Sequence, residues 1–128
     1  LWLALPTEFE EVAPEFHHHP AATIPQLRAG EATLRVLAGE AYGMTSPVKT
    51  YSPLFYVDAL MPAGSTTPLP DGYQDRAFYV ASGRVRFDGI TASEGEMVVV
   101  RPERADELIA EEDARVMMLG GAPLDGPR

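Results

Sequence analysis

Three consecutive histidines, residues 17–19, are the first residues of this chain that could do chemistry. In an extended segment His17 and His19 would share one face, where two imidazole nitrogens could chelate a soft divalent cation. No third convergent ligand of acidic character is visible near them. The cluster lies between Phe16 and Pro20 in a proline-rich segment, which favours an exposed position. We therefore interpret His17 and His19 as adventitious metal binders.

The other polar residues do not form a recognisable catalytic set. The chain has no cysteine, which excludes thiolate ligands, disulfide bonds and a cysteine nucleophile. Glu40, Asp58 and Asp75 could form an acid/base set, but no nucleophile, metal or spacing connects them. Arg76 could hold a carboxylate ligand through a bidentate contact. We favour a pairing of Arg76 with an internal acid such as Asp58 or Asp75, or a position in water, because a buried arginine is usually paired.

Aromatic side chains could instead line a pocket for a flat aromatic molecule. The candidates are Tyr42, Tyr51, Phe55, Tyr56, Tyr73, Phe78 and Tyr79. Tyrosine and phenylalanine are also common in strands, where they pack against their neighbours. Ordinary strand packing is the interpretation that we favour.

The composition restricts the class of protein. A chain of 128 residues fits one domain with its own core. Twelve prolines and eleven glycines imply many turns, which favours short strands over long helices. The net charge of −9 at pH 7 argues against direct nucleic-acid binding. No apolar run reaches the ~20 residues that cross a membrane, so we expect no membrane partner and a cytoplasmic location.

The first 30 residues differ from the rest of the chain. Pro6, Pro14, Pro20 and Pro25 interrupt any regular element. Large apolar side chains between these prolines nevertheless offer groups that can dock on a protein body. This pattern predicts an extended docking arm over residues 1–30.

A β pattern follows the arm. Thr33–Leu37 alternates, with Leu34 on one face and Arg35 on the other, which predicts a strand with one buried face. Residues 48–60 are rich in aromatic residues and valine. They predict one long strand or two short strands broken at Pro53.

Ser82-Gly83 predicts the clearest hairpin, because glycine supplies the positive φ of a tight turn. The hairpin would join Ala77–Ala81 to Arg84–Phe87, with Val85 and Phe87 on one face.

Further turns continue the pattern. Asp88-Gly89 predicts a two-residue turn, and Met97–Val100 is apolar on both faces, which predicts a central strand. The acidic turn at residues 111–113 predicts a hairpin between Leu108–Ala110 and Arg115–Leu119. Strands at intervals of about 8–12 residues, with no convincing amphipathic helix, predict an all-β sandwich or barrel.

Two frames resemble the two cupin motifs. They are Gly64-x5-Pro70-x-Gly72-x3-Arg76-x6-Gly83 and Ser93-x-Gly95-x2-Val98. In metal-binding cupins the positions of Pro70, Gly72 and Arg76 hold His, His and Glu. The position of Val98 holds another His. None of these four residues can ligate a metal, so the resemblance implies a cupin-type double-stranded β-helix (jelly-roll) barrel over residues 31–128 that lacks metal ligands.

Six further stretches carry a more specific resemblance. They are Leu1-Trp2-x-Ala4-Leu5-Pro6, Pro14-Glu15-Phe16, Val36-Leu37-Ala38-Gly39-Glu40-Ala41-x-Gly43, Ser46-Pro47-Val48-x-Thr50, Tyr79-Val80-x-Ser82-Gly83 and Gly120-Gly121-Ala122-Pro123-Leu124. Together they resemble the carboxy-terminal half of pirin-like proteins, which are bicupins with two barrels in one chain. The resemblance implies that iron or another divalent metal sits in an amino-terminal barrel, on a His-rich motif that this sequence lacks. The segment from Leu1 to Leu5, apolar on both faces, would pair as a strand with that missing barrel.

Three functional hypotheses remain open, and none gives this chain a cofactor or a catalytic residue. The leading one is a metal-free structural and interaction half that supports the amino-terminal barrel and presents surface for protein partners. The alternative is part of an iron-type quercetin 2,3-dioxygenase-like enzyme, with this half contributing cleft wall. The second alternative is a metal-free barrel that binds a small aromatic ligand. Without the other barrel we expect residues 1–5 either to be covered by a second copy of the chain or to remain disordered, so the chain should self-associate or aggregate.

Overall fold

The computed structural model describes residues 1–104 and 107–127. Two 3₁₀ helices, Thr7–Phe9 and Ala21–Thr23, lie in the arm. The strands are β1 (Gln26–Ala29), β2 (Ala32–Ala41), β3 (Met44–Thr45), β4 (Leu54–Met61), β5 (Thr66–Pro68), β6 (Asp75–Ser82), β7 (Arg84–Phe87), β8 (Ile90–Ser93), β9 (Met97–Val100), β10 (Glu107–Ala110) and β11 (Ala114–Gly121). Neither of the described helices is long and apolar enough to span a bilayer.

The strands form two sheets in which every pair is antiparallel. The larger sheet has the order β1-β2-β4-β11-β6-β9, with β3 paired to β2. The smaller sheet has the order β5-β10-β7-β8. Strands that follow one another in sequence repeatedly belong to different sheets, which is the crossing pattern of a jelly roll. The all-β jelly-roll prediction is confirmed.

The core lies between the two sheets. Along β2 every second residue is buried, as the alternation around Leu34 predicts. Val85 and Phe87 of β7 are buried on the facing sheet, as predicted. The rings of Phe78, from the larger sheet, and Phe87 meet with their centroids 5.5 Å apart. Such tilted ring pairs add stability beyond the burial of their area.

The predicted hairpin at Ser82-Gly83 is wrong. Strand β6 pairs with β11 and β9, whereas β7 pairs with β8 and β10, so the chain changes sheets at Gly83. Gly83 has a φ of +82°, and a Cβ there would lie 2.8 Å from the Cα of Ala114. Glycine is therefore needed for a corner between the sheets rather than for a hairpin turn.

The predicted hairpin across residues 111–113 is wrong for the same reason. Strand β10 lies in the smaller sheet and β11 in the larger one. By contrast, the Asp88-Gly89 turn does join two paired strands, β7 and β8, with both residues at positive φ. That is the geometry of a type I′ turn, which matches the twist of a two-residue hairpin.

Strand β9 is an edge strand, and its prediction as a central strand is wrong. It pairs with β6 on one side only. Val100 is buried, but Met97 and Val99 point to the outer face of the sheet and are exposed. The segment 48–60 contains one strand, β4, which begins directly after Pro53 and ends at Met61.

The arm docks through a few specific contacts. The ring centroid of Phe9 lies 5.1 Å from that of Tyr51, and the backbone N–H of Thr7 donates to Asp125 Oδ1 at 3.1 Å. Residues 26–29, which lie within the predicted arm, form β1 and pair with β2. Leu1 to Leu5 form no strand within this chain. Trp2 remains 82% exposed, so the pairing of this segment with another barrel stays a prediction.

Candidate functional site

The four positions of the cupin metal frame lie on one loop and two neighbouring strands. Pro70 and Gly72 belong to the loop between β5 and β6. Arg76 is the second residue of β6, and its side chain is buried. Val98 lies opposite Phe78 on β9 and packs against the core. The frame therefore converges on the inner face of the larger sheet, where a metal would have to bind.

Arg76 occupies the centre of this frame and is bound by backbone oxygens. Its Nη1 donates to the carbonyl oxygen of Pro70 at 3.4 Å. Its Nη2 donates to the carbonyl oxygen of Pro102 at 3.3 Å and to that of Arg104. The guanidinium thus connects the β5–β6 loop to the loop that follows β9.

The prediction that Arg76 pairs with Asp58 or Asp75 is wrong. The side chain is only 6% exposed, and within residues 1–104 and 107–127 no carboxylate lies in salt-bridge distance of it. Its Nε is buried without a hydrogen-bond partner there. Three backbone carbonyl dipoles, rather than a carboxylate, stabilise the delocalised positive charge of the Arg76 guanidinium.

Asp58 lies elsewhere, on the outer face of the larger sheet. Its Oδ2 accepts from Arg35 Nη2 at 3.0 Å and from Arg115 Nη2 at 2.9 Å, and its Oδ1 accepts from Arg115 Nε at 3.0 Å. The two arginines cover the carboxylate, which is 2% exposed. The Asp58 carboxylate raises the pKa of Arg115 further above its usual value. We call these three residues the outer ion cluster.

These side chains do not fit a metal ion. A divalent cation in the frame would meet the guanidinium of Arg76, a permanent positive charge, in place of the Glu ligand, and Pro70, Gly72 and Val98 offer it no side-chain donor. In the described part of the chain no three His, Asp or Glu side chains are grouped so that they could hold a metal.

The histidine cluster has a neighbour that the sequence reasoning missed. Glu15 Oε2 lies 3.3 Å from His17 Nε2, and Glu15 Oε1 lies 3.0 Å from Lys49 Nζ. Lys49 and, secondarily, His17 lower the pKa of the Glu15 carboxyl. The i, i+2 spacing of Glu15 and His17 could have indicated this contact, because two such residues point to the same side of an extended segment. Because Lys49 already holds the carboxylate, and the rings of His17 and His19 are 6.5 Å apart, the arrangement favours an ion pair on the arm over a metal centre.

A cavity of about 520 Å³ opens between the β2–β3 turn and the β5–β6 loop. Tyr42 and Tyr73 line it, and Glu40, Pro70 and Asp71 contribute to its rim. The hydroxyl of Tyr42 donates to the carbonyl oxygen of Pro68 at 2.5 Å. The hydroxyl of Tyr73 donates to the backbone carbonyl oxygen of Glu40 at 2.5 Å. Burial raises the pKa of both phenols.

Only two of the seven aromatic candidates therefore share a cavity. Phe55 packs behind Tyr73, with ring centroids 4.9 Å apart, and is itself buried in the core. Phe78 fills the core, Tyr51 contacts the arm, and Tyr79 is exposed on the outer face of the larger sheet. Four of the seven aromatic residues lie in strands, as expected, whereas Tyr42, Tyr51 and Tyr73 do not, and Tyr42 adopts a positive φ of 54° at the cavity.

The sequence comparisons with known proteins all match members of one family. Residues 56–128 match the sequence model of the pirin C-terminal cupin domain. A pirin-like protein of Caulobacter vibrioides is 47% identical over 99% of this chain and 44% of its own length. Human pirin is 31% identical over 66% of this chain and 30% of its own length.

The fold comparison agrees. The crystal structure of a quercetin 2,3-dioxygenase from Acinetobacter baumannii superposes with a TM-score of 0.90 at 26% identity, covering 98% of this chain and 46% of that one. The chain thus spans less than half the length of each of these relatives.

Proposed function

Because this chain belongs to the pirin family and matches its C-terminal cupin domain, we propose that it is the metal-free half of a two-cupin protein. It supports an amino-terminal cupin that carries iron or another divalent metal, and it forms one wall of the cleft in front of that metal. The greater length of the Caulobacter relative, of which this chain matches 44%, supports a second domain. The protein acts in the cytoplasm.

The observation that carries this proposal is the environment of Arg76. A guanidinium that donates to the carbonyl oxygens of Pro70, Pro102 and Arg104 occupies the glutamate position of the metal frame. It supplies a fixed positive charge where a metal-binding cupin needs a negative ligand. The same contacts hold two loops against the sheet, and such rigidity is consistent with a domain that supports a neighbouring barrel.

The metal content of the purified chain tests the metal-free part of the proposal. After chelator treatment and removal of any tag, we expect well below one iron, nickel or zinc ion per chain. The His17→Ala variant is the control and should give the same value. One tightly held metal per chain contradicts the proposal, and its loss in His17→Ala would place that metal on the arm.

A hybrid protein tests the supporting role. In this hybrid the chain replaces the matched region of the Caulobacter relative, so that it is joined to that protein's remaining sequence. We expect the hybrid to fold cooperatively and to hold metal that the isolated chain does not. A hybrid without cooperative unfolding would count against the supporting role.

Quercetin 2,3-dioxygenation is the activity that we propose for the whole protein, on the similarity to the Acinetobacter dioxygenase. Oxygen uptake with quercetin and ferrous ion should be seen with the hybrid and not with the isolated chain, because no group of His, Asp or Glu among its described residues could hold a metal that binds or activates dioxygen. Uptake by the isolated chain above the free-metal blank, lost on mutating one of its residues, would refute this assignment.

A second candidate function is the binding of a small aromatic ligand in the cavity of about 520 Å³ at Tyr42 and Tyr73. The volume is in the range of small-molecule sites. Both tyrosine hydroxyls, however, are engaged by carbonyl oxygens of the chain itself. Equilibrium dialysis of quercetin against the isolated chain distinguishes the two functions. Saturable binding that Tyr73→Ala abolishes would favour the ligand-binding function.

A further inference from the structure

The outer face of the larger sheet carries a continuous apolar surface. It consists of outward-pointing side chains of β4, β11, β6 and β9, namely Tyr56, Met117, Leu119, Ala77, Tyr79, Met97 and Val99. We call this surface the outer apolar face.

The strand register places these side chains in two rows across the sheet. In the first row Leu119 lies between Tyr56 and Ala77, and Ala77 is paired with Val99. In the second row Met117 lies between Asp58 and Tyr79, and Tyr79 is paired with Met97. Directly paired side chains on one face are in contact, so the rows form one surface rather than scattered residues.

Exposure increases along the outer apolar face towards the free edge of the sheet. Tyr79 is 37% exposed, Met97 53% and Val99 77%. Strand β9 is paired only to β6, so its other edge also presents backbone groups. An apolar surface next to an unpaired strand edge is the kind of surface that a partner normally covers.

A charged cluster forms one part of the rim of this face. The outer ion cluster of Arg35, Asp58 and Arg115 adjoins the second row through the pairing of Asp58 with Met117. Two guanidinium groups share one carboxylate there, which leaves a net positive charge beside the apolar rows. An interface with an apolar centre and a charged rim of this kind fits a partner that offers an apolar patch and an acidic side chain.

The arm is anchored near one end of this sheet. Thr7 is hydrogen-bonded to Asp125, which follows β11 by four residues. The row containing Leu119 lies near that end of β11. Leu1 and Trp2, which precede this anchor by a few residues, are 75% and 82% exposed.

We propose that the outer apolar face is the surface on which the amino-terminal cupin packs, and this inference rests on the proposed function. The matched relatives contain more than a second domain's length of chain outside the region they share with this one. A stable interface needs about 800 Å² from each partner. In the described part of the chain, the outer apolar face is the one broad apolar surface of the larger sheet.

The absence of cysteine from the chain allows a direct test by thiol labelling. Val99→Cys reports on the outer apolar face and Trp2→Cys on the arm. Ile90→Cys is the matched control, because Ile90 is as exposed as Met97 but lies in the smaller sheet. The labelling rate of each single-cysteine variant is measured by peptide mass spectrometry in the isolated chain and in the hybrid.

We expect the labelling rate of the Val99→Cys variant to fall about ten-fold or more on going from the isolated chain to the hybrid, as burial in an interface requires. The rate of the Ile90→Cys variant should stay within about two-fold, as for a residue that remains exposed.

Three other outcomes are informative. Equal rates for Val99→Cys in both proteins, with slowed labelling of Trp2→Cys in the hybrid, would overturn this inference and leave the proposed function intact. Equal rates for all three variants would contradict the proposed function itself. Concentration-dependent protection of the Val99→Cys thiol in the isolated chain would identify a second copy as the occupant and also overturn the inference.

Discussion

Replacing Arg76 by methionine tests whether its guanidinium stabilises this barrel by connecting two loops at the position of the metal frame. Methionine keeps much of the side-chain volume and removes the charge and all donors. The carbonyl oxygens of Pro70, Pro102 and Arg104 then lose a common partner. The two loops that they belong to lose their link to each other.

The magnitude follows from two opposing effects. A hydrogen bond to a charged group contributes about 1.5–3 kcal/mol, and the contacts of Arg76 at 3.3 and 3.4 Å belong at the weak end of that range. The penalty for burying the ion opposes this gain by several kcal/mol. The exposed loop at Pro102 can regain water. We therefore expect Arg76→Met to lower the free energy of unfolding by about 1–3 kcal/mol.

Arg76→Glu should be worse, although it restores the residue of the metal frame. A carboxylate there would face three carbonyl oxygens, and an unpaired buried charge costs about 3–5 kcal/mol. Arg86→Met on β7 removes an exposed arginine and is the control, with an expected change of about 0.5 kcal/mol or less.

Urea unfolding followed by far-ultraviolet circular dichroism measures these changes, since the single tryptophan, Trp2, is too exposed to report on the barrel. A linear-extrapolation slope that stays constant would show that the variants unfold from the same native state. If Arg76→Met proved as stable as the unmodified chain and Arg76→Glu were harmless, the account of Arg76 as an internal link would be refuted.

Two other predictions concern the backbone and the tyrosines. Gly83→Ala should lower the free energy of unfolding by about 2–4 kcal/mol, because the new Cβ would press on Ala114 at a positive φ. Gly89→Ala, which has open space around its Cβ, should lower it by about 1 kcal/mol. Equal losses in urea unfolding would contradict this prediction. The raised pKa values of Tyr42 and Tyr73 make their contribution to stability complete below the unfolded-state pKa of about 10, and that contribution is lost as the pH rises through the folded values. Absorbance titration of tyrosinate should show two of the five tyrosines ionising late, and a single transition near the ordinary pKa would contradict it.

The strands could be predicted from the sequence, but not which strands pair. Alternation around Leu34 and the Asp88-Gly89 turn indicate the correct elements because both signals are local. The hairpin prediction at Gly83 is wrong because a positive φ is needed both in hairpin turns and at corners between sheets. Only the distant partners of each strand, such as β11 for β6, distinguish the two.

In the candidate site, too, residue types could be predicted from the sequence, whereas long-range contacts could not. The residue types at Pro70, Gly72 and Val98 show in the sequence itself that these positions of the frame carry no metal-ligating side chain. The partners of Arg76 could not be predicted, because backbone carbonyl oxygens leave no trace in residue identity. The exposure of Val99 was also hidden, since an apolar run has the same composition whether a neighbouring domain or the sheet itself covers it.

The position of β11 has a consequence for how this protein is made. In sequence β11 follows the other described strands of this barrel, yet in the larger sheet it lies between β4 and β6. On the ribosome, both of those strands must wait with an open edge until the residues of β11 have emerged. Nascent chains that stall before that point expose two strand edges at once and are prone to aggregate. Synthesis of this domain should therefore depend on chaperones until its final strand is inserted.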